Sequence, residues 1–313
     1  MLYCPFFIFL HINSIEEAVK KYIALAILTL IPIALDAQSF YRRRRDRDFV
    51  VSYGMGPASY FGELKNDGDV LVDNKLNMEF GLEYQIHPRF SPKLMMTLFR
   101  LQGDDRKADK EAGRESRNLR FRSDNVEVAI IGIARLYEAR MRYYQRPQFN
   151  IYAFGGLAAT WYSPRADIPE QDYNGNPFPD AGKFTPLRKL ETELVKYGAV
   201  TIALPVGFGI RYKINPWFNI AIDGGYRLTF TDYLDDVSTV HAGSSAFSDP
   251  LAQAMADRRP ELDRSPAPSG TKRGNPDKND GYFLWNVKVE YYLQSLFGVQ
   301  SGAIGRRQPR RQQ

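Results

Sequence analysis

The chain has 313 residues, 44% of them hydrophobic and 13% aromatic, with a formal charge of +6 and a single cysteine. Such a length allows one large domain or two small ones. No stretch after residue 37 is long and apolar enough for a membrane-spanning helix, which excludes a helical membrane protein.

Residues 20–37, KKYIALAILTLIPIALDA, place two lysines before an apolar core and end on a small residue. This is the pattern of a secretory signal peptide cleaved between Ala37 and Gln38, and its core is too short for an anchor. The upstream run MLYCPFFIFLHI does not belong to such a signal, and a start at Val19 from a GTG codon accounts for it. The expected organisation is therefore a signal segment over 1–37, a basic segment over 38–48, a barrel over 49–293 and a basic tail over 294–313. Cys4 falls in the segment expected to be lost, so the mature chain offers no disulfide, metal-thiolate site or lipidated cysteine. The formal charge rises from +6 to about +7 on processing. Much of the excess sits at the ends, in Arg42, Arg43, Arg44, Arg45 and Arg47 and in Arg306, Arg307, Arg310 and Arg311. The plain reading of these runs is solvated tails. The functional reading is a periplasmic docking point for an acidic partner or for lipid phosphates. Nucleic-acid binding fits the charge but not the compartment.

Residues 49–56 alternate Phe49, Val51, Tyr53 and Met55 with smaller residues, a first strand, and 57–74 is a connection rich in Gly, Asp and Asn. Over 75–87, Leu76, Met78, Phe80, Leu82, Tyr84 and Ile86 oppose Lys75, Asn77, Glu79, Glu83, Gln85 and His87. A short turn leads to a third strand over 93–102, and 103–124 reads as a charged loop with no buried face. The fourth strand is expected over 125–137 and the fifth, rich in Gly and Ala, over 148–162. A loop of about 37 residues precedes the hairpin 200–235. There Ile202, Leu204, Val206, Phe208, Ile210 and Tyr212 alternate with small or polar residues up to a turn at Asn215-Pro216. Phe218, Ile220, Ile222, Tyr226, Leu228 and Phe230 then resume the apolar side. Pro205 removes a ladder donor and predicts a bulge or a strand end. A connection of nearly 50 residues, 235–280, precedes the last strand, 281–293.

A period of two means strands with one apolar and one polar face. Runs of about 13 residues exceed the usual 5–6 of soluble strands and the 9–11 that cross a bilayer when tilted. Eight such strands, joined alternately by long polar and short connections, have the loop asymmetry of outer-membrane barrels. Closure is required because an open edge in lipid leaves backbone groups unsatisfied. Tyr53, Tyr84, Phe99, Trp161, Tyr212, Trp217, Tyr233 and Trp285 fit interfacial girdles. The expected class is all-β, an eight-stranded antiparallel up-and-down transmembrane barrel with long external loops; a secreted β-sandwich is the competing reading.

Chemistry is sparse. No phosphate loop, zinc spacing or dinucleotide fingerprint occurs, so no cofactor, metal, catalytic residue or small-molecule substrate is expected. Ser238, His241, Ser244 and Ser245 lie close in sequence, but a hydrolase is defined by geometry. Asp232, Asp235 and Asp236 carry carboxylates suited to calcium, yet read more simply as a solvated strand end. Lys75, Glu79, Glu83, Arg211, Asp223, Arg227, Lys288 and Glu290 point inward in both signs and are expected to pair within a lumen filled by side chains.

Several segments carry a family resemblance: Asp36-Ala37-Gln38, SYFGEL at 59–64, LQGDD at 101–105, LPVGFGIRY at 204–212 and INPWFNIAIDGGYRLTFTDYLDDVS at 214–238. The chain resembles the outer-membrane barrel family that includes PorG, a type IX secretion component of Bacteroidetes-type bacteria. The resemblance implies an eight-stranded barrel beside a periplasmic ring of secretion proteins, with outer-membrane lipid as its surroundings and no catalytic residues. A surface binder acting through its long loops is the alternative, and a lipid-modifying rim enzyme using His241 is a third reading.

Overall fold

The computed structural model describes residues 49–64, 75–107, 116–138 and 146–293; the signal segment, the basic segment 38–48 and the tail 294–313 lie outside them. The strands are β1 (Phe49–Phe61), β2 (Lys75–Tyr84), β3 (Phe90–Asp104), β4 (Arg120–Arg135), β5 (Phe149–Trp161), β6 (Pro164–Asp167), β7 (Phe184–Pro186), β8 (Val200–Lys213), β9 (Phe218–Thr229) and β10 (Gly281–Leu293). Eight long strands pair antiparallel in the cyclic order β1-β2-β3-β4-β5-β8-β9-β10, and the β1–β10 and β3–β4 ladders close the ring. The short β6 and β7 extend the sheet sideways from β4, starting at Arg122↔Arg165.

Side-chain parity inverts the arrangement of a soluble barrel. Leu76, Phe80, Leu94, Ile130, Leu157, Phe208, Ile222 and Val287 face outward and are exposed, while Glu79, Lys93, Glu127, Arg211, Asp223 and Lys288 are buried inside. Outward apolar and inward polar residues suit a wall against hydrocarbon. The sandwich reading fails, because one continuous sheet closes on itself with its apolar face outside. Phe49↔Leu293 sets both ends of the barrel chain at the rim that carries the three short turns.

Four expectations are corrected. β1 runs on to Phe61, and β3 and β4 run to Asp104 and back from Arg120, so 103–124 is not free of a buried face: Asp105, Leu119, Phe121 and Ser123 are buried. Arg120 and Arg122, on the alternate positions, hid that parity. Pro205 forms neither bulge nor end. The β5–β8 register is the same on both sides of it, Gly155↔Val206 and Ala158↔Ala203, and only the intervening pairs are lost. Phe99 is not a girdle residue; it shares inward parity with Lys93, Met95 and Thr97 and stacks on Tyr282 at 4.7 Å. Tyr233 stacks on Tyr197 at 4.7 Å above the barrel rather than in the girdle. The other six aromatics do face outward.

The long connections 162–199 and 230–280 fold over the far rim as a cap. It contains a short helix, α1 (Pro250–Ala256), whose first turn is capped by Asp249 accepting from Leu251 N at 3.0 Å. Leu64, Leu101, Phe121, Leu187, Leu234, Val237 and Met255 form the apolar core beneath it.

Candidate functional site

Three regions carry chemistry: the lumen, the short-turn mouth and the cap. Strand parity aims the luminal charges at one another. Nearest the short turns, Glu83 accepts from Arg135 and, at 3.0 Å, from Arg211, which also meets Glu290 at 2.6 Å. In the next layer Glu79 binds Lys93 at 2.8 Å and Lys288 at 2.6 Å, and Lys288 reaches Asp223 at 2.6 Å. Higher still, Arg227 faces Glu127 at 3.6 Å, and the Tyr282 hydroxyl donates to Glu127 at 2.5 Å. Among the described residues five carboxylates thus meet five cations inside the wall. A buried charge is tolerated when paired and hydrogen-bonded. The pairing expected in the lumen is present, with Lys75 only half-buried at its edge. Lys93, Glu127 and Arg135 were not among the expected inward charges, though each lies on the inward parity of its strand.

At the short-turn mouth, the Arg146 guanidinium lies 3.5 Å over the Tyr292 ring and donates to the carbonyls of Asn215 at 3.3 Å and Pro216 at 3.0 Å. Lys213 Nζ donates to the Arg146 carbonyl at 2.9 Å. Arg135, Arg146, Arg211 and Lys213 line a small open recess, with Glu83 and Glu290 behind them. This mouth is basic. The predicted arginines Arg42–Arg45, Arg47, Arg306, Arg307, Arg310 and Arg311 lie outside the described residues.

Ion pairs hold the cap, two of them buried and the third, Arg258–Glu261, with its glutamate exposed. Arg117 grips Asp105 through Nε at 2.8 Å, Arg273 meets Glu193 at 2.7 Å and Arg258 meets Glu261 at 2.6 Å. The aspartates at 232–236 are not a solvated strand end: Asp232, Asp235 and Asp236 are all buried. They are also divided. Asp236 accepts from Thr192 and Tyr197, both at 2.5 Å, and its carboxyl is pushed up to about 6 by burial despite the Arg273 charge. Asp235 turns instead toward Glu63 and Asp280, the three offering carboxylate oxygens within 4.8 Å of one another. Asp280 accepts from the Tyr60 hydroxyl at 2.5 Å and from Leu234 N at 2.9 Å. Asp235 accepts from Leu64 N at 3.3 Å and Val237 N at 2.9 Å, and Glu63 from Asn275 N at 3.1 Å. Burial and the neighbouring carboxylates hold Asp235 and Asp280 well above the usual carboxylate range. Glu63 and Asp280 escaped the sequence reading as ligands. The available signal was that Glu63 lies in SYFGEL and Asp235 in TDYLDDVS, two segments whose contact only the fold reveals.

His241 is buried and its Nε2 makes no hydrogen bond. Burial, then the Arg273 charge, pulls its imidazole down to about 4. It shares a recess with Ser244, but no hydrogen bond joins it to Ser238, Ser244 or Ser245.

No protein-family model and no curated protein matches the chain. Solved structures do. Neisserial surface protein A aligns with 11% identity and TM-score 0.37 over 78% of this chain and 97% of its own. The outer membrane protein OprG of Pseudomonas aeruginosa aligns with 11% identity and TM-score 0.38 over 79% and 96%. Ail of Yersinia pestis, solved in complex with the heparin analogue sucrose octasulfate, aligns with 11% identity and TM-score 0.34 over 78% and 97%.

Proposed function

We propose that this protein is a non-enzymatic outer-membrane barrel that anchors or assembles a periplasmic protein-secretion complex of the type IX kind. The observation that supports this reading is the filled, charge-paired lumen inside an apolar wall. An eight-stranded barrel packed this way offers no solute channel, so its two rims are left to act. The short-turn rim is basic, Phe49 lies at that rim, and Arg47 precedes Phe49 by two residues in the sequence. SYFGEL and TDYLDDVS add the family resemblance. In-cell crosslinking of the tagged protein followed by mass spectrometry of the outer-membrane fraction tests it. Recovery of periplasmic ring components, reduced when Arg42–Arg45 and Arg47 are replaced by serine, supports the anchor. Recovery of the barrel alone, with efficient crosslinking controls, rejects it.

A second reading, a surface binder, is favoured by the folded cap, which packs on an apolar core shared with the strand ends rather than standing as a set of bare loops. Shortening the 235–280 connection separates the two readings: a binder loses function completely, and an anchor retains its crosslinked partners.

A further inference from the structure

We propose that Glu63, Asp235 and Asp280, with Asp232 beside them, form a divalent-cation site of the calcium type within the cap. The three first-named residues come from the end of β1, the segment after β9 and the residue before β10, and their carboxylate oxygens converge within 4.8 Å. All the donors are hard oxygens, which suits calcium rather than zinc or copper.

Among the described residues no basic side chain is paired with the three aspartates, and a bound cation would balance them. Among the described residues Asp232, Asp235 and Asp280 form no ion pair, and the basic group nearest in effect, Arg117, is committed elsewhere. Its Nε and Nη2 hold Asp105 at 2.8 and 2.9 Å, and its Nη1 holds the Arg273 carbonyl. Backbone amides and the Tyr60 hydroxyl supply the hydrogen bonds of Asp235 and Asp280, and no cationic side chain among the described residues does.

A second observation points to the same ligand independently. Asp232 is only 7% exposed, and neither of its carboxylate oxygens makes a hydrogen bond of normal geometry. A buried carboxylate without a partner costs several kcal/mol unless it is neutralised. Gly62 belongs to the same construction: a Cβ there would stand 1.9 Å from both Asp280 Oδ1 and the Tyr60 hydroxyl oxygen. A side chain at this position would have to displace the Asp280 carboxylate and the Tyr60 hydroxyl.

The test uses the mature chain, folded in detergent micelles, stripped with chelator and titrated calorimetrically with calcium chloride at about pH 7.5. One saturable site is expected, with proton release read from the dependence of the heat on buffer ionisation. Asp235→Asn and Asp280→Asn should each weaken binding at least about tenfold, while Asp172→Asn, in an exposed turn of the cap, should not. Heat-modifiable gel mobility reports that each variant is folded, and Glu63→Gln replaces any that is not. Folded wild type without saturable calcium heat overturns the site, as does unchanged affinity in the folded variants.

Discussion

Asn77 Nδ2 donates to the Trp285 carbonyl at 2.9 Å, spanning β1 to join β2 to β10. It does so opposite Pro57, where the β1–β10 ladder lapses between Met55↔Val287 and Ala58↔Leu284 because proline brings no N–H. The same amide reaches the carbonyls of Gly56 at 2.9 Å and Pro57 at 3.1 Å. Gly56 leaves the way open, since a Cβ there would fall 2.1 Å from the Trp285 oxygen. A side chain on the second strand thus supplies the donor that the first strand lacks.

Asn77→Leu is therefore expected to destabilise the barrel by about 1–3 kcal/mol, the cost of stranding a buried acceptor. Adding Pro57→Ala, which restores a backbone donor, should recover part of that loss. Denaturant unfolding of the two single variants and the double variant in micelles gives the coupling; strictly additive losses would show that the two residues act separately.

Glu79 holds two lysines, Lys93 and Lys288. Glu79→Gln leaves Lys93 without its carboxylate, while Lys288 keeps Asp223 at 2.6 Å. A loss of about 3–5 kcal/mol is expected for breaking a buried pair from one side. Lys93→Met in the same background should relieve part of it, as measured by the unfolding midpoint.

With chelator present, the cap should become less stable as pH rises. Asp236, raised to about 6, and Asp232, raised to about 7, bind protons more tightly folded than unfolded. Their stabilisation is complete below the ordinary value of 3.8 and is lost as pH climbs through 6 and 7. Each carboxylate contributes up to about 1.4 kcal/mol per pH unit within its window. Glu193, held below 4.5 by Arg273 against its own burial, acts in the opposite sense at lower pH. Hydrogen exchange over residues 231–240 at pH 5 and 8 reads the slope, and saturating calcium should flatten it. A slope of the other sign would refute the protonated cluster.

Gly62→Ala should disturb the cap while sparing the wall. The clash falls on Asp280 Oδ1 and the Tyr60 hydroxyl rather than on a ladder. Calcium affinity should fall with heat-modifiable mobility unchanged, and a variant with wild-type affinity would place Gly62 outside the site.

The wall was legible because parity is a local property. Leu76, Met78 and Phe80 alternating with Asn77 and Glu79 need only their own strand to be read. The ends of β3 and β4 were not, because above the membrane the outward positions carry Arg120 and Arg122 and erase the contrast. The cap was illegible for another reason. Glu193, Asp236 and Arg273 come together through tertiary pairing with no sequence period to announce it. Pro205 was readable as a missing donor, though the register there simply continues; Pro57 reads in sequence as part of a connection, and both its place in β1 and its remedy depend on neighbouring strands.

The Glu83–Arg211 pair has a mechanical meaning. β2 and β8 stand four places apart in a ring of eight, so this contact at 3.0 Å is a strut along a diameter. A hollow cylinder squeezed by lateral membrane pressure flattens into an oval, whereas a cross-braced one must tilt or shift as a whole.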